Sequence, residues 1–185
     1  NIHTNFPLML AKLARQNKIR QLIHVSALGI EKASDSEYAI SKLNGEKNIL
    51  NFFNKALILR PSIVYSVDDN FSTTFMTLLN RLPIFPLYYA GNTKFTPIHC
   101  SDLTDVILKV IEKNLNSKIV ECVGPEVLSF KKILTILLNS IGKKRLFLPF
   151  PLFIAKITAR LFELMPNPLL TTDQLRLLKY DNIVS

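Results

Sequence analysis

The sequence predicts an α/β protein of the doubly wound, parallel-sheet type, followed by a mainly helical region. Three observations carry this. Short apolar runs at residues 22–25, 56–59 and 118–123 alternate with longer stretches of helical period up to about residue 124. The first two runs are apolar at nearly every position, as strands buried on both faces are. After residue 124 the apolar period is helical, at 129–141, 152–165 and 171–179. Two regions are therefore expected, 1–124 and 125–185.

Each element has its own warrant. In 1–17, Phe6, Leu8, Met9, Leu10, Leu13 and Ala14 recur near helical spacing, with Lys12, Arg15 and Lys18 facing away. Pro7 fits a first turn, where its missing N–H costs nothing. Residues 22–25 form a strand, and 26–37 a loop carrying Gly29 and the turn formers Ser34, Asp35 and Ser36. Residues 38–53 form a second helix, capped by Ser34 or Ser36, with Glu37 where the helix dipole favours an acid. The strand at 56–59 ends at Arg60-Pro61. A loop over 62–70 carries the acidic pair Asp68-Asp69, read as solvated. Then come a helix at 71–80, a Pro-rich connection at 83–86 and a short strand within 93–98.

The helix at 101–113 is well marked. Ser101 caps it, Asp102 lies in its first turn, and Leu103, Val106, Ile107, Val110 and Ile111 form the stripe. The strand at 118–123 ends at Gly124-Pro125. Ser129 caps a helix that stops at Gly142. Residues 143–150 are a basic-to-apolar link. The helix at 152–165 sets Lys156, Arg160 and Glu163 on one side and is ended by Pro166 and Pro168. Its apolar side suits a membrane or partner surface as well as the domain's own core. The last helix, 171–179, is capped by Thr171 or Thr172.

The chain has 185 residues, enough for one substantial core with a small appendage. Lys and Arg number 23 against 14 Asp and Glu, for a net charge of +9. The excess is scattered, with Lys143-Lys144-Arg145 the one compact run. With no zinc-ligand set, aromatic RNA-binding signature or long basic helix, nucleic acid is not an expected partner. Cys100 and Cys122 lack metal-ligand spacing and read as reduced thiols in a cytosol-like compartment. His3, His24 and His99 form no i,i+4 pair, so no metal site is expected. The chain opens on Asn1 and shows no leader or long uncharged apolar span, so it reads as a piece lacking its N-terminal part.

The chemistry concentrates between Ser26 and Lys42. Ser26 stands at the tip of an apolar strand. Twelve residues later Tyr38 opens a helix, and Lys42 follows one turn on, on the same face. An ammonium beside a phenol favours the phenolate, so Lys42 is expected to lower the Tyr38 pKa. A tyrosine so tuned gives or takes a proton near neutrality. Ser26 would hydrogen-bond the same substrate oxygen, and strand ends in open α/β sheets are where ligands bind.

The residues Leu22-Ile-His-Val-Ser-Ala-Leu-Gly29, Tyr38-Ala-Ile-Ser-Lys-Leu-Asn-Gly-Glu46, Leu59-Arg-Pro-Ser-Ile-Val-Tyr65, Asp68-Asp-Asn-Phe71 and Phe95-Thr-Pro-Ile-His-Cys-Ser-Asp102 together resemble the extended or atypical short-chain dehydrogenases/reductases. Gly124-Pro-Glu126 and Pro149-Phe-Pro151 complete the series. Within that superfamily the chain is most similar to the branch of nucleotide-binding accessory subunits of respiratory complex I and their bacterial relatives.

The resemblance implies the later half of a Rossmann-type sheet and an NADP or NAD cofactor. Ser26, Tyr38 and Lys42 match the catalytic serine, tyrosine and lysine, with Tyr38 and Lys42 also holding the nicotinamide ribose. Pro61, Ser62, Ile63 and Val64 match the segment beside the nicotinamide amide, and Asn1 an asparagine heading the preceding helix. Asn70, Phe71 and Arg60 are candidates for substrate contact, although Arg60 equally suits an ion pair and Phe71 the core. Against the family pattern, Ser66-Val67 replaces the usual Gly-Pro, the chain stops at Ser185 where relatives continue, and the Gly-rich phosphate loop is absent.

Three functions follow from the resemblance. One is a structural nucleotide-binding role in a membrane respiratory complex, cytoplasmic in bacteria or on the mitochondrial matrix side, peripheral to the inner membrane. Another is an active reductase or epimerase. The third is a non-functional fragment of a split or decaying gene, without function unless a separately encoded N-terminal half is supplied.

Overall fold

A computed structural model describes residues 2–116, 118–163 and 171–184. In chain order the first half contains α1 (Ile2–Gln16), β1 (Ile23–Val25), α2 (Glu37–Phe52), β2 (Leu57–Pro61), β3 (Val64–Tyr65), α3 (Asn70–Arg81), β4 (Ile84–Leu87), β5 (Lys94–Phe95) and β6 (Ile98–His99). The second half contains α4 (Cys100–Glu112), β7 (Ile119–Cys122), β8 (Leu128–Ser129), α5 (Phe130–Ser140), β9 (Leu146–Pro149), α6 (Leu152–Phe162) and α7 (Thr172–Leu177).

β1, β2 and β7 form a parallel sheet in that order, with His24 opposite Ile58 and Leu59 opposite Val120. The central strand explains the unbroken apolar run. Leu57, Ile58 and Leu59 are all fully buried because both sheet faces are covered. Ile58 packs with Ala11 of α1 and Ile49 of α2. Leu57 and Leu59 pack with Val110 of α4, Ile98 and Cys122. Helices thus lie on both faces, as the doubly wound reading requires.

α1 meets α2 at a small-residue contact. Pro7 falls in the second turn of α1, not the first, because the helix begins at Ile2. Pro7 supplies no N–H to the carbonyl four residues back, that of His3. That carbonyl oxygen points at Gly45 of α2, where an added Cβ would overlap it. A glycine is what lets the two backbones approach here.

A second core joins segments far apart in sequence. Leu79 of α3, Phe85 and Leu87 of β4 and Phe95 of β5 pack against Phe130, Leu134 and Leu138 of α5. The Pro-rich connection expected at 83–86 is strand β4, paired in parallel with β9 from the expected link at 143–150. Both strands are edges of a two-stranded sheet, a place that tolerates Pro86 and Pro149. The strand expected within 93–98 is two strands. Pro97 cannot extend the ladder, so β5 pairs antiparallel with β8 while β6 pairs parallel with β3.

The caps differ in detail from expectation. Asp69 is not simply solvated: its carboxylate accepts the Ser72 N–H (2.7 Å) and the Ser66 N–H (3.1 Å), capping α3. His99 rather than Ser101 caps α4, its Nδ1 accepting the Ser101 N–H at 3.3 Å. Ser129 caps α5 and Ser36 caps α2. In α6, Ala155 and Ala159 pack against Leu175, while Phe153, Ile157 and Leu161 face out. Leu164 and Met165 of the expected helix, with Pro166 and Pro168, lie outside the described residues. Among the described residues no helix is long and apolar enough to cross a membrane.

Candidate active site at the ends of β1 and β2

The site is built where β1 and β2 end. Ser26 continues β1, and its N–H donates to the Leu59 carbonyl (2.7 Å), which fixes the backbone. Its side chain is only 4 % exposed, and among the described residues its Oγ has no hydrogen-bond partner. Burying a hydroxyl without a partner is unfavourable.

Tyr38 and Lys42 come to the same place from α2. The Lys42 Nζ donates to the carbonyl of Val25, next to Ser26, at 3.5 Å. It also lies over the Tyr38 ring, 5.8 Å from the centroid. The His3 ring packs edge-on against Tyr38, with centroids 5.6 Å apart. Lys42 and Tyr38 thus share one face of α2 at the end of β1, while Ser26 and Lys42 do not line the cavity that Tyr38 lines.

The electrostatics depart from expectation. Burial raises the Tyr38 pKa above its ordinary value rather than lowering it. Burial also lowers that of Lys42, partly offset by Glu46. The geometry gives the reason: the ammonium contacts the ring face, so desolvation of the phenol outweighs stabilisation of a phenolate. Lys42 poised this way is a hydrogen-bond donor at the strand end.

α2 is held from the far end of the chain. The Asp173 carboxylate, in the first turn of α7, accepts the Ser36 hydroxyl (2.9 Å) and the N–H groups of Glu37 (2.8 Å) and Tyr38 (3.1 Å). An acid at a helix N-terminus is favourable, and here it fixes the residue that would do the chemistry. Asn182 ties the same region together. Its side chain donates to the Leu28 carbonyl (2.6 Å) and accepts the Ser62 hydroxyl (2.5 Å), while its backbone N–H donates to the Lys94 carbonyl (2.7 Å).

A cavity of about 230 Å³ opens beside Tyr38. Pro61, Ser62 and Ile63 line one side, and Leu177, Leu178 and Asn182 another. Val64 lies instead in β3, against the α4 core. Arg60 is taken up by Glu46, at 3.0 and 2.7 Å, and by Glu31 at 3.2 Å. Phe71 packs at a tilt against Phe75 beside the second core, and Asn70 is exposed at the start of α3. None of these three lines the cavity. Asn1 lies outside the described residues.

Asp173, Asn182 and His24 are the site residues that sequence reasoning missed. The Thr171–Gln174 capping box marks the start of α7, but no local signal says which helix its acid will reach. His24 stands two residues before Ser26, and among the described residues its buried Nε2 has no partner. Burial, then Lys42, hold its pKa below the ordinary 6.5, against the opposite pull of Glu46. A depressed histidine favours the unfolded state when protonated. Its contribution is complete above pH about 6.5 and is lost as pH falls below that towards the folded value. His24→Gln is therefore expected to flatten the loss of stability between neutral and mildly acid pH, read from urea midpoints across that range.

The comparisons with known proteins agree with this architecture. The chain is 28% identical over 155 residues to the mitochondrial NADH dehydrogenase (ubiquinone) 1 alpha subcomplex subunit 9 of Dictyostelium discoideum, covering 80% of this chain and 43% of that protein. The Arabidopsis thaliana protein of the same name is 28% identical over 188 residues, covering 95% and 47%. The chain thus spans about half the length of the curated relatives it matches. Among solved structures, the UDP-glucuronic acid 4-epimerase of Bacillus cereus, in complex with UDP-glucuronic acid and NAD, superposes with a TM-score of 0.67 at 20% identity. It covers 99% of this chain and 63% of that one. A dTDP-glucose 4,6-dehydratase from Streptomyces venezuelae, with NAD bound, gives 0.67 at 20% identity, covering 80% and 53%. The model of the RmlD substrate binding domain matches residues 31–135, more than half of the chain, from the loop before Tyr38 to the middle of α5, and the chain belongs to that family.

Proposed function

We propose that this chain forms the nicotinamide side of an NAD(P)-binding protein of the short-chain dehydrogenase type. In this reading it serves as an accessory subunit of a membrane NADH:ubiquinone oxidoreductase, with the cofactor held mainly as a structural element. The observation that carries the reading is that Lys42, on the α2 face that bears Tyr38, reaches the strand end beside Ser26, while Tyr38 and Pro61–Ile63 line one cavity at the ends of β1 and β2. The Dictyostelium, Arabidopsis and mouse relatives, each named as an NADH dehydrogenase (ubiquinone) subunit, support the assignment to that assembly. In this reading the protein sits on the mitochondrial matrix side, peripheral to the inner membrane.

The residues present fit the nicotinamide end of such a cofactor. Lys42 would donate to the ribose hydroxyls, Tyr38 would sit over the same ribose, and Pro61–Ile63 would contact the nicotinamide amide. Bound there, the cofactor would supply a hydride donor or acceptor. The Gly-rich loop that grips the phosphates in such folds is not within these 185 residues. A further segment, joined to this chain or supplied in trans, would bring it.

A second reading is favoured by the cavity reaching Tyr38. Here the protein is a working reductase, Ser26 orients a substrate oxygen and Tyr38 exchanges a proton with it. Titrating NADPH into the full chain, alone and co-expressed with a Gly-rich strand–loop–helix segment, separates the readings by nicotinamide fluorescence. The structural role predicts saturable binding that Lys42→Met weakens about tenfold or more and Tyr38→Phe leaves alone. It also predicts no cofactor oxidation on ketones or nucleotide sugars. Tyr38-dependent oxidation sinks the structural role, and absence of binding in both arms removes both readings.

A further inference from the structure

α6 turns its alanines inward and its large residues outward. Ala155 and Ala159 are fully buried against Leu175, whereas Phe153 is 75 % and Leu161 59 % exposed. Phe153, Ile157 and Leu161 recur every four residues and so form one stripe on the outer face. Lys156 and Arg160, also four apart, run beside it. A helix face that is both apolar and cationic, and open to solvent, marks an interaction surface.

The cationic stripe opens into a second cavity, of about 580 Å³, between α6 and α7. It shares no lining residue with the cavity beside Tyr38. Arg176 and Lys179 join Lys156 and Arg160 there, so four cations face one carboxylate, Asp35. Asp35 lies 3.7 Å from Lys179, and Arg176 lies 3.8 Å from Asp173. The Glu163 carboxylate accepts the Thr172 N–H (2.7 Å), tying α6 to α7. Among the described residues Lys156 and Arg160 have no ion-pair partner. Tyr89 lines the same cavity in a left-handed backbone (φ 51), a strain that gathers at ligand clamps.

We propose that α6 and this cavity form a docking surface for an anionic phospholipid bilayer. Lipid phosphates meet Lys156, Arg160, Arg176 and Lys179, and the acyl boundary receives Phe153, Ile157 and Leu161. With 11 residues α6 is too short to cross a bilayer, so it lies along one. Charge complementarity selects the occupant. A zwitterionic surface gives the four cations no net attraction, and a free phosphate or a purely acidic peptide leaves the apolar stripe in water. The inference deepens the peripheral placement in the reading above, and its test needs neither the cofactor nor other subunits.

The full chain is sedimented with sucrose-loaded vesicles of phosphatidylcholine alone and of equimolar phosphatidylcholine and phosphatidylglycerol. Binding to the mixed vesicles only is expected, and it weakens as salt is raised. Lys156→Gln with Arg160→Gln is expected to weaken it about tenfold or more. Phe153→Ser, which leaves the charge unchanged, is expected to weaken it about fivefold or more. Lys109→Gln with Lys113→Gln, an exposed pair on α4, removes the same charge and is expected to leave binding within about twofold, since charges off the docking face are screened. Each variant is checked for native circular dichroism. Absence of binding to the mixed vesicles, or equal binding to both kinds, would overturn the proposal. So would equal losses from the two Gln pairs, which would reduce the effect to the net charge of the chain. A loss with Lys156→Gln and Arg160→Gln but none with Phe153→Ser would overturn it in favour of an acidic protein partner. Vesicle binding by a chain that never binds NADPH leaves this inference standing and defeats the cofactor assignment, and NADPH binding without vesicle binding does the reverse.

Discussion

Arg60→Met is expected to cost about 3–5 kcal/mol of stability, the cost of leaving a buried charge uncompensated. Glu46 is 2 % exposed, in the middle of α2, and both its carboxylate oxygens are taken by the Arg60 guanidinium at the end of β2. The arginine's own pKa is raised, first by that hydrogen bond, so the guanidinium stays charged. Removing the guanidinium strands a carboxylate between helix and sheet. Glu31 supplies a second, more exposed contact that does not reach Glu46. For a chain of this size the melting temperature falls by roughly 6–20 °C. The double variant Arg60→Met with Glu46→Leu is expected to recover most of the loss, because well-packed apolar residues often replace a buried pair at little cost. A thermal melt that moves by less than about 2 °C in the single variant would show that water reaches Glu46.

Gly124→Ala is the other large effect. Gly124 follows β7, and its N–H donates to the Thr96 carbonyl at 3.1 Å. A Cβ there would overlap the Pro97 carbonyl oxygen and lie 2.9 Å from its carbon. Both are backbone atoms, held by the paired strands β5 and β6 on either side of Pro97, so no side chain can swing away. The expected loss lies at or above the top of the overpacking range, about 3 kcal/mol, read from urea unfolding. Gly142→Ala is the control. It has an open surround and a left-handed backbone (φ +65), so it pays only conformational strain of roughly 1–2 kcal/mol. If the two variants lose the same amount, close approach is not what holds Gly124.

The local chemistry of the sequence carries most of the helices and the Tyr38–Lys42 face. α2 and α5 begin after the expected serines, because a cap is read by N–H groups two or three residues away. Tyr38 and Lys42 share a face, and Lys42 reaches the carbonyl next to Ser26, because strand end and helix face are each set locally. Long-range pairing is what the sequence hides. β4 and β9 are proline-bearing edges with no alternation to mark them, and they find each other 62 residues apart in register, Ile84 opposite Leu146. The Tyr38 pKa departs from its sequence expectation for a related reason. Spacing places Lys42 on the correct face, but whether its nitrogen meets the hydroxyl or the ring depends on packing. Arg60 shows the same limit: its charge is legible, while its partner, Glu46, is selected by the way α2 lies on the sheet.

The grip of Asp173 on the first turn of α2 has a consequence for synthesis of the chain. The contacts span 135–137 residues. At about 5–20 residues per second, Asp173 leaves the ribosome roughly 7–30 s after Ser36. Through that interval Tyr38 belongs to a helix whose N–H groups must rely on Ser36 and water. The nascent chain can lay down β1, α2 and β2 early, but the site acquires its final order only when translation has nearly finished α7. A polypeptide stalled before residue 173 would therefore carry the whole triad on an unfinished helix start.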